Sequence, residues 1–131
     1  MTIKATGLAR FYYATCYSLK GLIGAYRSEP AFRYETWIVC GLTPFAFILA
    51  QTTVELILLI ASLLLILIFE LINTAIEAVV DRAGKEHHEL AGLAKDTGSA
   101  AVFLCLFLAT FVWGALLWQN LISTLLLNNS I

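Results

Sequence analysis

The chain has 131 residues, a net charge of −1, 60% hydrophobic residues against 13% charged, and a mean hydropathy of +0.86. That length suits one domain, and the composition excludes both an ordinary soluble domain and a disordered segment. No Lys/Arg cluster of the kind nucleic-acid binders carry is present, so a nucleic-acid partner is not expected.

Residues 5–27 have a helical period. Leu8, Phe11, Tyr12, Thr15, Leu19, Leu22, Ile23 and Tyr26 share one face, and Arg10, Tyr13, Tyr17, Lys20 and Arg27 lie on the other. Aromatic and basic residues arranged this way predict an amphipathic helix lying in the membrane interface. Residues 1–28 lack a continuous apolar core and a small-residue cleavage site, so no signal peptide is expected. Ser28-Glu29-Pro30 breaks the helix, and Pro30 can open the next one, because a first turn has no use for its missing N–H.

Residues 36–54 carry no charge, which predicts a first membrane span over about 31–51 with Pro44 as a place to kink. After the turn Gln51-Thr52-Thr53 a second helix is predicted over about 54–82. Its uncharged run, Leu56–Phe69, amounts to about 21 Å of helix, short of a bilayer core of about 30 Å. Glu70 therefore falls at the edge of the hydrocarbon, and the rest of the helix projects into water. Residues 83–91 read as a polar connection. A third span is predicted over about 92–120, followed by a tail, 121–131, to which no role is assigned; Leu121–Leu127 can extend the helix, and Asn128-Asn129-Ser130 reads as its frayed end. The whole is one all-α membrane domain, 1–131. Cys16, Cys40 and Cys105 are far apart and odd in number, and read as small apolar packers rather than as a disulfide or metal framework.

All eight basic residues lie before the first span or around the connection between the second and third. The positive-inside rule then puts the N-terminal helix and the 83–91 connection in the cytoplasm and the C-terminus outside. Glu29, Glu35, Glu70, Glu77, Asp81, Glu86, Glu89 and Asp96 share that cytoplasmic edge, and Glu55 alone is on the far side.

The most informative stretch is E-L-I-N-T-A-I-E-A-V-V-D, Glu70 to Asp81. Glu70, Asn73, Glu77 and Asp81, spaced i, i+3, i+7 and i+11, form one polar stripe on one helix face. Carboxylates are costly at the mouth of a bilayer and default to a functional reading. Three with an amide suggest a cation and a polar substrate. Asp81 itself reads as a helix-end partner of Arg82 or Lys85. Adjacent histidines point in different directions, so His87-His88 between Glu86 and Glu89 is a poor zinc site.

The stripe resembles the signature of the bacterial integral-membrane diacylglycerol kinases, and K-D-T-G-S-A-A-V, Lys95 to Val102, resembles their second shared block. The likeness covers roughly residues 5–120 and extends to the order of surface helix, Glu29, three spans and H-E-L-A-G-L-A-K-D. It implies a homotrimer in the bacterial inner membrane, with active sites shared between subunits. The implied reaction is Mg²⁺-dependent transfer of the ATP γ-phosphoryl group to diacylglycerol, giving phosphatidic acid. Soluble-kinase phosphate loops are absent, in agreement.

Residue by residue, the resemblance makes Glu70 the general base toward the lipid hydroxyl. Partial desolvation there strengthens a carboxylate as a base. It makes Glu29 and Glu77 the Mg²⁺ ligands, with Asn73 between Glu70 and Glu77 able to orient either. Lys95 and Asp96 are matched to nucleotide contacts with Lys95 facing phosphate, Arg10 and Tyr17 to further nucleotide contacts, and Glu86 and His88 to the adenosine end. Glu35, Ser99 and Trp113 are matched to the lipid site. His87 departs from an aromatic common at its place, and Leu19 from a frequent tryptophan. Some relatives phosphorylate undecaprenol, and the stripe does not separate the two acceptors. A small proton or cation channel is the reading from another class; it requires acids along a span to both faces.

Overall fold

The computed structural model describes residues 7–84 and 88–128. They form four helices, α1 (Leu8–Ser28), α2 (Pro30–Leu49), α3 (Thr53–Ala83) and α4 (Glu89–Asn128), with no strand among the described residues.

The break between α1 and α2 falls at Glu29, whose extended backbone (φ −105°) ends one helix and starts the other. Its N–H donates to the Ala25 carbonyl at 2.8 Å, and Pro30 occupies the first turn of α2, the place where a proline costs nothing. Two side chains tie the corner. The Trp37 indole N–H donates to the Tyr26 hydroxyl at 2.8 Å, and Arg33 donates to the Arg27 carbonyl at 3.3 Å, a cation set against the negative end of α1. Ala25 is the one buried residue of α1; the aromatic face around Phe11 and Tyr12 is exposed.

At the α2–α3 turn, Thr52 caps α3 by accepting the Glu55 N–H at 3.2 Å, and Glu55 accepts the Gln51 N–H at 2.9 Å. This is close to a capping box. Asn120 of α4, itself buried, donates to the Leu49 carbonyl at 2.8 Å and fastens α4 to the turn. Asn120→Ala would leave the Leu49 carbonyl without that donor, and is expected to cost about 1–3 kcal/mol, read as a lower midpoint of thermal unfolding in detergent.

α3 and α4 pack as an antiparallel pair. Leu59 meets Leu116 and Ala46 in one buried cluster, and Ile66 meets Cys105 and Ala109 in another. Asn73 faces Gly98, and Asp81 reaches Lys95. Both helices are long and apolar enough to cross a membrane; α2 is not among them. The outward face of α4 presents Phe107, Phe111 and Trp118, each about two-thirds exposed, the surface of a protein whose solvent on that side is lipid or another apolar face.

One boundary, the start of α4, differs from the sequence reading; the end of α3 and the run of α4 past residue 120 agree with it. α3 stops at Ala83 because Gly84 turns the chain at φ 145°, a conformation that favours glycine. α4 resumes at Glu89, inside the stretch read as a polar connection, where an acidic first turn suits the helix dipole and His88 Nδ1 accepts the Leu90 N–H at 3.2 Å. At the other end α4 runs on to Asn128, in line with the extension open to Leu121–Leu127, which holds no Gly or Pro to stop it. Of the cysteines, Cys105 is buried as read, but Cys40 is exposed on α2, and all three are free.

Candidate active site

Glu70 lies in the interior of α3, after the uncharged run, and points inward: it is 6% exposed. Asn73, one turn on, is 8% exposed and donates from Nδ2 to Glu77 Oε1 at 3.1 Å. The amide between the two acids thus orients the second of them. Its own carbonyl oxygen is buried without a hydrogen-bond partner, an arrangement that costs free energy unless a ligand or a bound water completes it.

Helices α2 and α4 bring the other walls. Glu29 at the α1–α2 corner, Glu35 one turn into α2, and Ser99 on α4 join Glu70, Asn73 and Glu77 around one cavity of about 390 Å³, closed on the α4 side by Val102, Phe103 and Leu106. One oxygen of Glu35 is also buried and unpartnered. Six of the residues singled out in the sequence therefore share one pocket. Carboxylate and amide oxygens line one wall of it, and Phe103 and Leu106 the other.

The chemistry of this donor set suits a hard divalent cation, since every available ligand is oxygen. Among the described residues no three His, Cys, Asp or Glu side chains converge into a cage that would hold a metal unaided. Mg²⁺ does not require one, because it binds through one or two carboxylates and completes its shell with water and substrate phosphates.

Gly98 is the close-approach point that the sequence reading left without a role. A Cβ there would run into the Asn73 carboxamide. The signal was present, a small residue inside K-D-T-G-S, but spacing alone does not say which residue of α3 it faces.

The remaining residues stand apart from the cavity. Lys95 forms an ion pair with Asp81, the one ion pair among the described residues. That corrects the expected partner of Asp81: it reaches across to α4 rather than to Arg82, and Lys85 lies outside the described residues. Asp96 and His88 are exposed near the start of α4, and Arg10 and Tyr17 are exposed on α1, where the Lys20 ammonium sits 5.9 Å from the Tyr17 ring centre. Glu86 lies outside the described residues. Trp113 lines a different, largely apolar pocket with Leu117 and Asn120, its indole N–H buried and unpartnered. It stands about 21 Å along α4 from Ser99.

Comparison with known proteins gives the arrangement a family. The sequence family "Prokaryotic diacylglycerol kinase" matches residues 16–117. The chain is 50% identical over 115 residues to a diacylglycerol kinase of Haemophilus influenzae, which covers 88% of this chain and 98% of the relative. It is 45% identical over 120 residues to one of Escherichia coli K12, covering 92% and 98%. It is 48% identical over 112 residues to one of Pseudomonas aeruginosa, covering 86% and 91%. With a family match over most of its length and relatives spanned almost end to end, this chain belongs to the prokaryotic diacylglycerol kinases.

Proposed function

We propose that this protein transfers the γ-phosphoryl group of ATP to the free hydroxyl of diacylglycerol, with Mg²⁺, at the cytoplasmic face of a bacterial inner membrane. The observation that carries the reading is the cavity in which Glu29, Glu35, Glu70, Asn73, Glu77 and Ser99 meet at the border between uncharged and charged helix. A lipid hydroxyl can arrive there from the apolar side and a nucleotide from the watery side.

In the reaction the hydroxyl oxygen forms a bond to the γ-phosphorus, the bond from that phosphorus to the bridging oxygen breaks, and ADP leaves. Glu70 takes the hydroxyl proton. Phosphoryl transfer is usually loose, so the larger contributions are positioning and charge. Glu77, steered by Asn73, and Glu29 from the α1–α2 corner are the Mg²⁺ ligands. When bound, Mg²⁺ neutralises charge building on the phosphoryl oxygens. Lys95 and Asp96 meet the nucleotide phosphates, with Arg10, Tyr17, Glu86 and His88 as further nucleotide contacts. Glu35 and Ser99 hold the glycerol end of the lipid. Trp113, about 21 Å farther along α4, lines the acyl-chain end, a separation a long acyl chain can span.

The same reading makes α1 an interfacial helix and α2, α3 and α4 three spans, with the N-terminus and the α3–α4 connection cytoplasmic and the C-terminus outside. The protein then works as a homotrimer with sites shared between copies. Support comes from the placement of every basic residue at one end of the spans and from the broad apolar face of α4.

Two results test this. Purified protein given Mg²⁺, ATP and short-chain diacylglycerol is expected to make phosphatidic acid, and to make it faster than undecaprenyl phosphate from undecaprenol in a parallel arm. Preference for undecaprenol would move the acceptor, and activity toward neither would end the reading. Gly98→Ala is expected to push the Asn73 carboxamide off Glu77 and lower turnover by about tenfold, the scale of an orienting contact to a metal ligand. Wild-type turnover in that variant would show that Asn73 has room to move without consequence.

A further inference from the structure

The ion pair between Asp81 and Lys95 joins the last turns of α3 to the second turn of α4. Asp81 lies one turn beyond Glu77 on the same helix face, so the bridge draws the Lys95 ammonium to the watery end of the acid row.

The fold has little need of this pair. Its side chains are 39% exposed for Lys95 and 67% for Asp81, and an ion pair so open to water contributes little to stability. The two helices are already joined by the Ile66–Cys105–Ala109 and Ala46–Leu59–Leu116 clusters. Lys95 on its own is a point charge on a flexible four-carbon stem. It has three N–H donors; Asp81 occupies one and leaves two.

We propose that Asp81 is a positioning residue for nucleotide binding: it holds Lys95 so that the free ammonium donors meet the ATP phosphates beside Glu77. This rests on the reading of Lys95 as a phosphate contact. The opposite effect, repulsion of ATP by the Asp81 charge, is the smaller one. The bridge neutralises that charge, and water around so exposed a pair screens what is left. Losing Asp81, by contrast, frees a lysine that must then be ordered at the moment of binding.

The test is equilibrium binding of MgATP to the full chain in lipid nanodiscs, with KM and kcat measured alongside. Asp81→Asn is expected to raise the Kd and KM for MgATP roughly fivefold, the scale of one exposed charge contact, with kcat nearly unchanged. Asp81→Glu, which keeps the charge, is expected to bind close to wild type. In a Lys95→Gln background, adding Asp81→Asn is expected to produce no further loss of binding. Unchanged or tighter binding in Asp81→Asn overturns the proposal. So does an equal loss in the Lys95→Gln background, or a fall in kcat and thermal stability with Kd constant, which is the pattern of a purely structural bridge. Because binding is read without a lipid acceptor, wild type that binds MgATP but phosphorylates no acceptor would count against the proposed reaction and leave this inference standing on its own result.

Discussion

Glu70→Gln is expected to reduce phosphatidic acid formation by about 10²–10⁴-fold, the range for removing a positioned general base, while the protein folds and assembles as before. The amide is isosteric with the carboxyl and fits the same inward-facing position on α3. Among the described residues no hydrogen bond to the Glu70 side chain fastens one element to another, so its loss breaks no tertiary link. What would disappear is the proposed proton acceptor, at the point where the apolar run ends and the cavity begins. Initial rates with radiolabelled ATP, beside circular dichroism of the same sample, check this. Full activity would remove Glu70 from the base role, and a loose transition state would then account for the whole reaction by positioning and charge.

Glu77→Gln is expected to shift the Mg²⁺ activation curve to higher concentration by at least about 10–100-fold, the scale seen even when a group merely supporting a metal ligand is lost. Here too the substitution preserves the local contact: a glutamine oxygen can still accept from Asn73 Nδ2, the bond that Glu77 Oε1 accepts at 3.1 Å. The charge goes and the geometry stays. Activity titrated against Mg²⁺ at saturating ATP separates this from a defect in nucleotide binding. An unchanged Mg²⁺ dependence would place the cation on other oxygens.

The acid row was readable because helical periodicity says which residues share a face. Glu70, Asn73 and Glu77 had to lie together, and the preceding uncharged run said where along the helix they sat. Pro30 likewise marked the start of α2 by the one position where its ring is harmless. Periodicity does not say which face of which helix stands opposite. That Gly98 backs onto Asn73, and that Lys95 reaches Asp81 rather than leaving it to Arg82, follow from the antiparallel register of α3 and α4, which is set by packing at Leu59–Leu116 and Ile66–Cys105 many residues away. Glu29 and Glu35 come from one stretch and Ser99 from another; charge placement had put the two acids on the same edge as Glu70 and Glu77, but only the family resemblance had drawn them and Ser99 into a site. Asn120 drew no reading at all: a lone amide near the end of an uncharged run does not say what it meets, and its carboxamide clasps the α2–α3 turn. The channel reading loses its basis in the same geometry. Between Glu55 and Glu70, α3 offers Ser62 as its one polar side chain, and that hydroxyl is spent on the Leu59 carbonyl at 2.8 Å.

The most direct measurement is photolabelling with a diacylglycerol that carries a diazirine beside its free hydroxyl, in vesicles containing a non-transferable MgATP analogue, with the adducts located by mass spectrometry. A lipid hydroxyl delivered to the carboxylate cavity predicts adducts in residues 29–35, 70–77 and 99–106, competed away by unlabelled diacylglycerol. Competed adducts confined to α1, or to the far pocket around Trp113 and Asn120, with none beside Glu70, would contradict it.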